Sequence, residues 1–140
     1  MTTEAIFGQE DRVLPWVGER IGYEFAKPAF TIGFLRGGDL VAGIVFNGYT
    51  GPNVDVSFAG HGELSVRAIR VGMTFAFRDL GVLRMTARTR RGNKALTRGL
   101  PKIGFRYEGV MRNYYGPHRK DDAVQFGLLA QDAARLMYHG

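Results

Sequence analysis

The stretch Asn93–Arg112, NKALTRGLPKIGFRYEGVMR, runs a short basic helix into a strand through Gly104-Phe105. Ala95, Leu96, Leu100 and Ile103 recur at helical spacing, yet Gly99 and Pro101 stand inside the pattern, where glycine loosens a helix and proline removes a hydrogen bond. Pro101 falls in the final turn, where one lost N–H matters least. The spacing therefore predicts a helix over Asn93–Lys102, and the asparagine that opens it calls for a reason.

The rest of the chain supplies a frame. FRYEGVMRNYY and DDAVQFGLL read as strands, and AQDAARLMYH reads as a helix. Upstream, VLRMTART reads as a strand preceded by a helix opening at Ser65, with Ser65 as its N-cap and Gly81 as its stop. One stripe of that helix is Ile69, Met73, Ala76, Phe77 and Leu80; a second is Arg67, Arg70, Thr74 and Arg78. AFTIGFLRGGDLVAGIVFNGY gives two strands around Gly37-Gly38, and a turn at Pro52-Asn53 leads into a strand over Asn53–Ala59. Alternation sets Asp55 and Ser57 on one face of that strand and Val54, Val56 and Phe58 on the other. DRVLPWVGER reads as a short Pro-interrupted helix turning Val13, Trp16 and Val17 inward as a cap or lid. This order predicts an α/β fold of the α+β kind: a mixed sheet with helices on both faces, in one domain over residues 1–140.

Composition narrows the chemistry. The 140 residues include no cysteine, which excludes disulfides, thiolate zinc sites and a cysteine nucleophile. The three histidines lack ligand spacing, so no metal site is expected. The start MTTEAIFGQEDR carries acids, and the longest apolar run, LVAGIVF, falls far short of a membrane span; a soluble cytoplasmic protein with no membrane partner is expected. Nineteen Lys and Arg against thirteen Asp and Glu give a net charge of +6, with the excess between Arg84 and Lys120. Such a field attracts phosphate, on a nucleotide cofactor or on nucleic acid.

The loop GHGELS between the Asn53–Ala59 strand and the Ser65 helix is the first candidate for that phosphate. A helix start presents unpaired N–H groups to an anion, and Arg67 and Arg70 strengthen its field. The loop is neither GxxxxGK[ST] nor GxGxxG, and taken alone these residues favour a structural loop and helix cap. His61 within it reads as solvent-facing.

The stretch Asn93–Arg112 resembles the segment NxASxxxxEKLGFxxEGxxR of the GNAT superfamily of acetyl-CoA-dependent N-acetyltransferases, most closely the branch acting on ribosomal-protein N-termini. Asn93, Lys102, Gly104, Phe105, Glu108, Gly109 and Arg112 coincide in register, and AFRDLGVLRMTAR resembles the family's helix-to-strand passage AFxxLGxxRVxAxV. The resemblance implies a sheet splayed between the strands Asn53–Ala59 and Val82–Thr89, with acetyl-CoA in the opening. It implies that Asn93 holds the pantetheine arm, and that Phe58, Ala59, Ser65, Val66, Arg67, Ala68, Arg70 and Arg98 take part in cofactor binding. It also implies a primary-amine acceptor attacking the thioester directly.

Some family features are missing. The pyrophosphate motif [QR]xxGx[GA] is replaced by Ser65, Val66, Arg67 and Ala68, Leu96 replaces the serine after Asn-x-Ala, and Leu100 stands where many members carry a proton-donating tyrosine. Asp55 is then the candidate base, through water, beside Ser57; Tyr114 and Tyr115 are candidates for the acid or for the acceptor mouth. Little more than one helix precedes the first hairpin, so an open acceptor side is expected, suiting a macromolecular amine or completion by a second subunit in a homodimer. The rival reading is a nucleic-acid-associated protein of the same fold that uses the CoA cleft for base modification or not at all, its partner held by Arg84, Arg88, Arg90, Arg91, Arg98, Lys102 and Arg106, with tyrosines for stacking. A non-catalytic interaction domain is the third.

Overall fold

The computed structural model describes residues 3–60 and 62–138, with side chains placed outside 62–66 and 135–138. Around Gly37-Gly38, β2 (Ala29–Arg36) and β3 (Asp39–Asn47) form the expected hairpin, and β4 (Asn53–Gly60) joins β3 antiparallel. A strand absent from the sequence reading, β1 (Glu4–Phe7), pairs with the outer edge of β2. Four residues are too few to show alternation; pairing alone makes EAIF a strand. β5 (Arg84–Arg90) lies parallel to β4, and β7 (Ala123–Leu129) inserts between β5 and β6 (Arg106–Met111), giving the order β1-β2-β3-β4-β5-β7-β6. This is the expected mixed sheet. β6 stops at Met111, four residues before the sequence reading ended it, so Tyr114 and Tyr115 stand on the β6–β7 loop.

Helix α1 (Glu10–Ile21) runs unbroken through Pro15 and covers one face. Val13 and Val17, one turn apart, are fully buried against Val45 and Ala59. They reach the sheet because the facing pair Gly33 and Gly43 has no side chains: a Cβ at Gly43 would lie 2.6 Å from Val17 Cγ2, and one at Gly33 would lie 2.8 Å from Val13 Cγ2. Both strand glycines thus mark a close approach of helix to sheet.

On the other face lie α2 (Gly62–Thr74), α3 (Lys94–Lys102) and α4 (Ala130–Tyr138), over a core that includes Phe46, Val54, Met73, Met85, Leu96 and Phe126. α2 opens at Gly62, which corrects the assignment of Ser65 as cap: Ser65 is already inside the first turn. The helix widens into a π-helical turn over Phe75–Leu80, and Gly81, at φ 71°, closes it by donating to Ala76 O. In α3, Asn93 Oδ1 accepts the Leu96 N–H at 3.2 Å, an N-cap, while Leu96 and Leu100 are buried; Ala95, expected inside, is exposed. Gly104, at φ 103°, then turns the chain so that the Phe105 N–H reaches Leu100 O at 3.1 Å and its ring enters the core. The damaged-looking helix is long enough to bury two leucines and ends where Pro101 does no harm. Among the described residues no helix is long and apolar enough to cross a membrane.

The β6–β7 loop is held by carboxylates. Asp122 accepts the Asn113 N–H at 2.8 Å, and Arg91 Nη1 donates to it at 3.0 Å; these bonds, led by the backbone one, outweigh burial and lower its pKa. At Glu108 burial pushes the pKa up, but hydrogen bonds from Arg84 and Gln125 together leave it lowered. Groups depressed in the fold stabilise it above their unfolded pKa, and that contribution disappears as pH falls through the folded value. We therefore expect the melting temperature to fall as pH drops from 6 to below the ordinary carboxylate range of roughly 4, and Asp122→Asn to flatten that curve. Thermal melts by circular dichroism across pH check this; identical slopes in both proteins would contradict it.

Candidate active site

The parallel strands β4 and β5 stay paired only through Val56↔Ala87. Beyond that point Ser57–Ala59 remain bonded to β3 and Arg88–Arg90 to β7, so the two ends diverge, leaving facing backbone groups without each other. The fork opens a cleft of about 570 Å³ whose walls are α1, the start of β3 and the freed strand ends. Phe58, Ala59 and Asn93, expected at the cofactor site, all line it, as does Tyr115, expected at the acceptor site. On the far side of the fork, Val56, Phe58, Met85, Leu96, Leu100 and Phe105 line a narrow apolar seam. Leu100 is buried in that seam, so no proton donor stands there.

The four candidates for acid and base gather in one place: Asp55, Ser57, Tyr114 and Tyr115 line a small cavity with Tyr23 and Arg88. Tyr115 borders both this cavity and the main cleft, and its hydroxyl donates to the Arg88 carbonyl at 3.4 Å, where β5 leaves β4. Burial, then its neighbours Tyr114 and Tyr23, push the Tyr115 phenol up to about 12. It is a protonated group at neutral pH. The Tyr23 phenol is also raised, first by its hydrogen bond with Tyr114 at 3.3 Å. The three rings pack with centroids 4.9 to 6.1 Å apart, and the Arg90 guanidinium lies 4.7 Å from the Tyr115 centroid, so the loop that brings Tyr115 is held from several sides.

Asp55 is not free. Arg88 Nη1 donates to Oδ2 at 3.0 Å and Asn53 Nδ2 to Oδ1 at 3.1 Å. These bonds belong to a closed circuit across the sheet face beyond α1. Arg88 Nε donates to Gln125, Gln125 to Glu108, Arg84 to Glu108 and Thr86, and Thr86 to Asn53, with distances of 2.6 to 3.2 Å. Periodicity on single strands could not show the circuit, because its members come from four strands.

The phosphate candidates fare unevenly. Ala68 is buried in the core. Arg67, Arg70 and Arg98 are exposed on α2 and α3 and are not among the described residues that line the cleft. The α2 backbone start is Gly62–Ser65, one turn earlier than expected; His61 and the side chains of Ser65 and Val66 lie outside the described residues. The basic stripe read as a nucleic-acid track is largely neutralised: Arg84, Arg88, Arg90 and Arg91 pair with Glu108, Asp55, Asp121 and Asp122 at 2.6 to 3.0 Å. Sequence reading missed Trp16, Arg20 and Ile21 as the cleft wall and Arg90 as a strut, whose Nε and Nη2 both donate to Ile21 O.

The forked sheet with these helices is the fold of GNAT-type acetyltransferases. Ribosomal-protein-S5-alanine acetyltransferase from Vibrio fischeri superposes with a TM-score of 0.73 at 13% identity, over 94% of this chain and 95% of that one. A mutant form of the spermidine/spermine N-acetyltransferase SpeG from Vibrio cholerae gives 0.76 at 8% identity, over 96% and 99%. RimJ from Mycobacterium smegmatis, in complex with CoA-disulfide, gives 0.66 at 20% identity, over 80% and 60%. The chain spans 65% of the length of two further matched structures, one of them from T. thermophilus. No family model matches the chain, and no curated protein matches it in sequence. At these identities the likeness establishes the fold.

Proposed function

We propose that this chain is an acetyl-CoA-dependent N-acetyltransferase that transfers acetyl to a primary amine within a ternary complex. The parting of β4 and β5 after Val56↔Ala87 carries this reading: it frees strand-edge N–H and C=O groups along a cleft of about 570 Å³, a size suited to small ligands. An extended chain with amides, such as pantetheine, can take up those groups as a strand would. Bound acetyl-CoA would supply the activated acetyl group. CoA in the RimJ structure, on the same fold, agrees with the assignment.

Ser57–Gly60 and Arg88–Arg90 would hold acetyl-CoA at the fork and orient it toward the amine. Tyr115 Oη, protonated at the fork, would supply the proton that the leaving thiolate needs. The amine passes its proton to water held by Asp55 and Ser57, and the Asp55 circuit fixes that water's position. Asn93 caps α3 at the cleft edge and so presents the helix start to the cofactor. The Gly62–Ser65 backbone is the remaining candidate for the pyrophosphate.

Acetyl-CoA at a hundred times its dissociation constant should stabilise the fold by about 2.7 kcal/mol, readable as a rise in melting temperature of several degrees. No shift at millimolar acetyl-CoA would remove the cofactor from this reading.

A further inference from the structure

The charges on the main cleft are one-sided. Arg20 on α1 and Arg88 and Arg90 on β5 all line it, and no carboxylate is among the described residues that do. Arg20 lies with its guanidinium carbon 3.6 Å from the Trp16 ring centroid, and its Nη1 donates to the Trp16 carbonyl at 3.0 Å. Stacking and hydrogen bond together hold that planar fork against the wall. The Arg88 guanidinium is held by Gln125 at Nε and by Asp55 at Nη1, and Asp55 lines the small neighbouring cavity, so Arg88 contributes charge to the cleft and no free fork. Arg90 gives Nε and Nη2 to Ile21 O and Nη1 to Asp121, so it adds field rather than donors. Asp55 and Asp121 offset two of the three charges from behind; Arg20 has no ionic partner among the described residues. The acids of α1 lie elsewhere, since Glu10, Asp11 and Glu19 line a separate groove with Glu24.

Resting on the acetyltransferase reading, we propose that the acceptor is a small amine that also carries a carboxylate, gripped by Arg20 in the field of Arg88 and Arg90. A guanidinium fork matches a carboxylate in plane and charge, and the cleft has the volume of a small-molecule site. A polyamine would meet three arginines and no anion on these walls. The phosphates of the cofactor share this chemistry, so the test separates the two sources.

Calorimetric titration of the full chain with free amino acids and with their carboxamides, with and without saturating CoA, keeps the amine and removes only the charge. At least one amino acid should bind about 10 to 100 times more tightly than its amide, as a charge-assisted contact implies. Arg20→Gln should shrink that ratio to about threefold or less and leave CoA affinity unchanged. Amides binding as well as acids, tighter binding of spermidine, or no amino acid binding at tens of millimolar would each overturn the proposal. So would an Arg20→Gln variant that weakens CoA but keeps the ratio, since the arginine would then serve a cofactor phosphate. Failure of the acetyltransferase reading registers separately, as the absence of heat with CoA, while the acid-to-amide ratio is still measured.

Discussion

Replacing Tyr115 by phenylalanine is expected to lower acetyl transfer by about 100-fold or more, while acetyl-CoA affinity stays within about twofold. The phenol is held near 12 by burial and by its tyrosine neighbours, so it carries its proton at neutral pH. It borders the fork, whereas Leu100 offers no proton. Phenylalanine keeps the ring packed on Tyr23, Tyr114 and Arg90 and removes only the long 3.4 Å bond to the Arg88 carbonyl, so the fold should survive. Tyr114→Phe is the control: its hydroxyl meets Tyr23, and it does not line the main cleft. Release of free thiol, followed for both variants, tests the assignment; equal losses would mean that the tyrosine cluster acts through packing and that Tyr115 is not the acid.

Gly43→Val should destabilise the protein by about 3 kcal/mol and undock α1. The new Cβ would stand 2.6 Å from Val17 Cγ2 and 3.1 Å from Val13 Cγ1, on stiff side chains at the centre of the second core. α1 is also the cleft wall, so the acceptor side should fail together with stability. Trp16, the sole tryptophan, sits on that helix and reports undocking by fluorescence during urea unfolding. A melt within about 1 kcal/mol of the parent would show that helix and sheet can separate here at little cost.

The hairpin at Gly37-Gly38, the alternation of Asp55 and Ser57, and the run from Asn93 through Gly104-Phe105 were legible because each follows from local periodicity or turn chemistry. Asp55 and Ser57 on one side and Tyr114 and Tyr115 on the other were separate candidates in the sequence, and only the fold brings all four to one cavity. What stayed hidden depends on contacts between distant segments. β1 exists only by pairing with β2. The arginines of β5 look like a phosphate track along the chain, yet their carboxylate partners arrive from β4, from β6 and from the β6–β7 loop. α2 begins before its apparent cap, since the turn at Gly62 carries no side-chain signal that outranks Ser65. Ala68 stands in the turn where the resemblance puts the pyrophosphate, yet it packs in the core.

The central claim is that the fork between β4 and β5 is where acetyl-CoA binds. Hydrogen–deuterium exchange with and without acetyl-CoA tests it most directly, because the freed strand edges are backbone groups that exchange reports one segment at a time. Ligand should slow exchange in peptides spanning Ser57–Ser65 and Arg88–Asn93, with β1 and β2 unchanged; protection confined to other segments, or none at saturating acetyl-CoA, would contradict the account.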